Sequence, residues 1–135
     1  MGVWILPALG YVVTIGLFGI ISKFAFRHVT WPELVVWTAA IYVVVAFVLV
    51  FSGTAHLRFD IGTGYALLTG GLALGGLIAL LIALQLGPAS RVIPFTSIYP
   101  IVTVFLSALF LAEHITPQIW AGVVLIIAGA IVINL

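Results

Sequence analysis

Long apolar runs separated by short polar breaks organise the whole chain. Crossing ~30 Å of hydrocarbon at ~1.5 Å per helical residue takes roughly 20 residues. Five stretches meet that length, over 3–22, 32–52, 63–86, 89–112 and 117–135. The breaks have physical causes. Lys23, Arg27 and His28 end the first run, and Ser52-Gly53-Thr54 through Arg58, Asp60 and Gly62 ends the second. Gly87-Pro88 breaks the third, because glycine tolerates left-handed backbone and proline has no amide hydrogen. Glu113-His114 and Thr116-Pro117 separate the last two. The pattern predicts an all-α integral membrane protein of five transmembrane helices, forming one transmembrane domain over 1–135. The first run has no Lys or Arg before Lys23, so it reads as a retained helix and not as a cleaved signal.

Composition strengthens that picture and excludes others. The 135 residues are 65% hydrophobic and 5% charged, with a mean hydropathy of +1.46, whereas soluble domains carry about 25% charged residues. The formal net charge of +1 gives no basis for nucleic acid as a partner. There is no cysteine, so disulfides and thiolate metal sites are out of reach. His28, His56 and His114 fall in three separate loops, and no metal cluster is expected from them. No nucleophile–base pair and no phosphate-cradling loop stands out, so neither a cofactor nor enzymatic activity is expected.

Two helix starts carry capping chemistry. Thr30-Trp31-Pro32-Glu33 fits a capping box, and Thr116-Pro117 sets a hydroxyl before a proline at the first helical position. Glu33 is therefore read as a cap and not as a proton carrier. Loop charge sets orientation: Lys23, Arg27 and Arg91 follow the first and third spans, and only Arg58 follows the second. That places the amino terminus outside, by a margin small enough to permit insertion in both directions.

Small and polar residues then suggest what the spans do. Gly71, Gly75, Ala79 and Ala83 recur every four residues in the third span, with Gly70 and Gly76 beside them, and Gly122 and Gly129 share one side of the fifth. Such ridges predict tight helix packing in lipid. The fourth span holds Pro94 and Pro100, and Thr96, Tyr99, Thr103 and Ser107 lie along one stripe of it. Each proline frees a carbonyl one turn earlier, at Ser90 and Thr96. Hydroxyls in such a stripe either bond their own helix or line a water-accessible path, with Val102, Leu106 and Leu109 off it. Lys23 ends the first span, where it serves as an interfacial anchor or attracts an anionic group of a solute.

The residues Ala83-Leu84-Gln85-Leu86-Gly87-Pro88-Ala89-Ser90-Arg91-Val92-Ile93-Pro94, Tyr99-Pro100, Phe110 through Thr116 and Gly122 through Gly129 resemble the EamA-like repeat of the drug/metabolite transporter superfamily. Gly19, Ser22-Lys23 and Trp31-Pro32-Glu33-Leu34 are similar to the start of that repeat. The resemblance implies a five-helix unit that most relatives carry twice in one chain, the copies inverted in the membrane around a central cavity. It implies export of a small-molecule solute such as a metabolite or amino acid, and it matches Lys23 to the family's first-helix lysine. This chain carries one copy, so the implied assembly is a homodimer of inverted units in a prokaryotic plasma or inner membrane. Its departures leave the cargo open: Trp37, Thr38 and Ala39 stand where many relatives have an arginine, and Leu77 through Ala83 where others have aromatic residues. The competing readings are a non-transporting membrane subunit that needs a partner protein and a small multidrug exporter. The latter is disfavoured by the lack of a carboxylate in the middle of any span.

Overall fold

A computed structural model describes residues 3–135. Helices follow one another as α1 (Ile5–Ala25), α2 (Trp31–Phe51), α3 (Ile61–Leu86), α4 (Ala89–Thr96), α5 (Pro100–Phe110) and α6 (Pro117–Asn134). No strand forms among the described residues. Taken with α4 and α5 as one span of 22 residues, Ala89–Phe110, five helical stretches are long and apolar enough to cross a bilayer. The fold is thus the all-α, five-span membrane architecture that the apolar runs predict. By internal contacts the chain falls into two compact units, Met1–Gly19 with Gly87–Leu135, and Ile20–Leu86.

Several boundaries shift for local reasons. α1 continues through Lys23 to Ala25, because a cation in the last turn faces the negative end of the helix dipole. It then tightens, with Arg27 N–H donating to the Phe24 carbonyl at 3.2 Å and His28 N–H to that of Ala25 at 2.9 Å. α5 stops at Phe110, two residues before the expected end, and Ala112 adopts a left-handed φ of 50°. α3 begins at Ile61 on an Asp60 start: Thr63 N–H donates to Asp60 Oδ1 at 3.2 Å and Asp60 N–H to Thr63 Oγ1 at 3.3 Å. That reciprocal pair satisfies two of the amides a helix start leaves open.

The two expected caps turn out differently. Glu33 reaches back as expected, its Oε2 accepting from Thr30 N–H at 2.6 Å, and the Thr30 hydroxyl donates to the same oxygen at 2.8 Å. The Trp31 amide is instead covered from α3, donating to Gln85 Oε1 at 3.3 Å. At Thr116 the hydroxyl makes no capping bond; its carbonyl starts α6 by accepting from Ile119 and Trp120 N–H.

In the Ile20–Leu86 unit, α2 packs against α3, and Leu81 and Leu84 near the end of α3 are fully buried. α2 itself buries no residue, as suits a helix surrounded by hydrocarbon. The expected glycine ridge has no partner here: a Cβ added at Gly70, Gly71, Gly75 or Gly76 would meet nothing within 4 Å, and the same holds at Gly122 and Gly129. In the other unit α4 packs on α6, which buries Val123 and Ala130, seven apart and so on one side. The close approach that glycine permits occurs at Gly19, which is buried. A Cβ there would lie 2.9 Å from Ile93 Cγ1 and 3.1 Å from its Cδ1.

Candidate functional site

The break in the fourth span is the least regular backbone within any span. α4 ends at Thr96 and α5 begins at Pro100, with Ser97, Ile98 and Tyr99 between them. Pro100 has no amide to offer the Thr96 carbonyl. That carbonyl is taken up locally, by Tyr99 N–H at 3.3 Å, and the turn is tightened by further three-residue bonds from Ser97 to Pro94 and from Ile98 to Phe95. The Thr96 carbonyl is therefore not left free as the sequence pattern suggests. Tight three-residue bonding is the usual repair at a helix end.

The Ile93 carbonyl, just before Pro94, gathers most of the polar groups at the break. It accepts from Thr96 Oγ1 at 2.9 Å, Ser97 Oγ at 3.0 Å and Ser97 N–H at 3.2 Å. The Ser97 amide already pairs this carbonyl, so both hydroxyls bond back onto their own helix. Farther along α5, Thr103 Oγ1 donates to the Tyr99 carbonyl at 3.5 Å, a long contact, and Ser107 Oγ to the Val104 carbonyl at 3.1 Å.

The structure brings together part of the predicted stripe. Thr103 and Ser107 line an open groove of about 300 Å³ with Val102, Leu106, Phe110 and Leu111. Ser107 is 9% exposed and Tyr99 59%, and neither Thr96 nor Tyr99 belongs to that groove. Val102 and Leu106, expected off the stripe, share it, because neighbours on a helix are only about 100° apart and a wide groove spans both. The wall is apolar apart from the two hydroxyls. Lys23 lies in the last turn of α1, half-buried. One turn on, the Arg27 guanidinium sits 5.0 Å over the Phe24 ring, a cation–π contact that holds it at the helix end.

A five-span fold whose fourth span is interrupted by paired prolines stands in a chain whose residues 2–135 match the profile of the EamA-like transporter family. The chain belongs to the EamA-like transporter family. It is a multi-pass membrane protein of that family. A stretch of 71 residues is 44% identical to an uncharacterized protein of Methanocaldococcus jannaschii, taking in 53% of this chain and 52% of that protein. The chain thus spans about half the length of the curated relative it matches. No solved structure matches it.

Two features of this EamA-like chain escape a reading of the sequence. Gln85 covers the start of α2 from 54 residues away, and nothing in local spacing signals such a pairing. Gly19 faces Ile93 across a helix contact, whereas the more regular glycine series of α3 faces no neighbour. Spacing shows which glycines share a face, but not which face is occupied.

Proposed function

We propose that this chain carries a small metabolite across the membrane, as an exporter built from two inverted copies around a central cavity. Residues 1–135 act as one transmembrane domain in that assembly, seated in a prokaryotic plasma or inner membrane. Family membership supports transport as the class of activity. The observation that carries the reading is the break at Ser97–Tyr99, where hydroxyls and tightened backbone replace regular helix within an apolar span. Irregular backbone at membrane depth occurs where it is buried in protein or borders a cavity, and transporters place it beside the cargo. An odd number of spans per copy requires that two copies in the family arrangement point in opposite directions.

The solute path in this reading runs along the Thr103–Ser107 face of α5 and past Thr96 and Tyr99, and Lys23, in the last turn of α1, is read as the group that attracts an anionic part of the solute. Because the wall is apolar with few hydroxyls, the cargo it suits is a small, partly apolar solute held by one or two hydrogen bonds. The test combines flux and accessibility. Purified protein in liposomes should move solute without any partner protein. Single cysteines replacing Thr96, Tyr99, Thr103 and Ser107 should react with a small hydrophilic thiol reagent, and transported solute should slow that reaction. A cysteine at Leu109, outside the groove, should react poorly. Flux only with a partner protein would instead identify a non-transporting subunit. Equal reactivity at Leu109 and at the four positions would remove this face from the path.

A further inference from the structure

The two ends of the α2–α3 hairpin are tied in different ways. At one end the chain itself joins α2 to α3 through residues 52–60. At the other, the start of α2 meets the end of α3, where Gln85 Oε1 accepts from the Trp31 amide at 3.3 Å. Between these ends α2 buries no residue, and Gly64, Gly70, Gly71, Gly75 and Gly76 of α3 have no heavy atom within 4 Å of an added Cβ. Beyond the first two turns of α2, where Trp31, Leu34, Val35 and Thr38 are half-buried, little apolar packing therefore holds the two helices together. Only near Gln85 does α3 anchor firmly, at the fully buried Leu81 and Leu84.

The Trp31 amide takes this partner because its own helix offers it none. Within the first turn of α2, Pro32 has no N–H, and Glu33 Oε2 is occupied by the Thr30 amide and hydroxyl. The Trp31 amide is thus the donor that must find an acceptor from outside its own helix. Both partners lie at helix ends and the bond is exposed, so water can replace the Gln85 oxygen when the two ends separate. A bond buried in hydrocarbon would have no such substitute. The contact can therefore open and close without stranding a polar group.

We propose that Gln85 is a positioning residue, a latch that clips the start of α2 to the end of α3 and whose release lets α2 swing outward about the 52–60 connection. Resting on the transport reading above, this makes α2 movable at one membrane face only, the face holding its start. Loss of one interhelical hydrogen bond in a membrane protein shifts such an equilibrium about threefold toward the open form.

Distance measurements by electron paramagnetic resonance test this on the full chain in lipid, with no solute present, so the result is independent of whether flux is found. The chain has no native cysteine. One spin-label pair is introduced by Val36→Cys with Leu86→Cys near the latch, and another by Phe51→Cys with Ile61→Cys near the connection. Gln85→Ala should broaden and lengthen the distances of the first pair and leave the second unchanged. Gln85→Asn, polar but one methylene too short, should behave like Gln85→Ala. Gln85→Glu, which keeps an acceptor oxygen at the same reach, should restore the original distribution. Unchanged distances in Gln85→Ala, equal broadening at both ends, or a wild-type pattern in Gln85→Asn would overturn the latch.

Discussion

Gly19→Ala offers a sharp test of how α1 meets α4. An added methyl would sit 2.9 Å from Ile93 Cγ1 and 3.1 Å from Cδ1, against the ~3.5–4.0 Å at which carbon atoms rest in contact. The half-buried Ile93 must give way through its side chain, because its backbone is held. Pro94 follows it, and its carbonyl is held by Thr96 Oγ1, Ser97 Oγ and Ser97 N–H. Turning the side chain off its rotamer costs about 0.5–1.5 kcal/mol, and overpacking of this kind costs about 1–3 kcal/mol in all. Against this, replacing a mid-helix glycine with alanine gains about 0.8–1.0 kcal/mol from helix propensity. Gly16 supplies the control: it lies in the same helix, and a Cβ there meets nothing within 4 Å. Propensity cancels between the two substitutions, so Gly19→Ala should be less stable than Gly16→Ala by about 1–3 kcal/mol.

Unfolding of the purified protein in bicelles, followed by steric trapping or by loss of helical circular dichroism, measures that difference. Ile93→Ala removes both crowding atoms, so the Gly19→Ala penalty should vanish in its background, a coupling readable from the double-mutant cycle. Equal stability of Gly19→Ala and Gly16→Ala would refute the reasoning, as would a penalty undiminished by Ile93→Ala.

Three further outcomes are expected. Ala112 holds a left-handed φ of 50° after α5, a conformation that costs a residue with a Cβ about 1–2 kcal/mol. Ala112→Gly should raise unfolding stability by about 1 kcal/mol, and no change would mean that the turn carries no strain. Lys23→Gln should raise KM for an anionic solute about tenfold, as loss of one charge-assisted contact would, with protein level unchanged and Lys23→Arg near normal. A changed insertion direction with normal transport would make Lys23 an anchor only. His56→Cys, in the connection between α2 and α3, should be labelled from both sides of sealed cells if copies insert oppositely; complete labelling from one side would exclude the inverted pair.

The spans were legible because apolar length is a strong signal in lipid, where every backbone group must be paired within the segment. What followed from three-dimensional contact was not. Pro94 and Pro100 announced a bend, yet the sequence gives no sign that the Thr96 and Ser97 hydroxyls would converge on the Ile93 carbonyl. Thr103 and Ser107 could be placed on one stripe by spacing alone. That Val102 and Leu106 share their groove depends on how wide it opens, which spacing does not encode. Within the single chain the α3 glycines face no neighbour, whereas Gly19 meets Ile93; a regular series shows a smooth face but not what covers it.

The position of the break between α4 and α5 has an electrical consequence. α4 is 8 residues long, about 12 Å at 1.5 Å per residue, so the polar turn that follows lies close to the middle of a ~30 Å hydrocarbon layer. That is where the Born energy of an ion is highest, and a cluster of hydroxyl and carbonyl dipoles lowers it there. If these groups ease a solute past the midplane as proposed, they would ease a proton or a sodium ion past it as well. A membrane bearing this protein stays insulating only if water reaches the turn from one side at a time. Leak conductance under an applied voltage is therefore as direct a measure of the Ser97–Tyr99 segment as solute flux is.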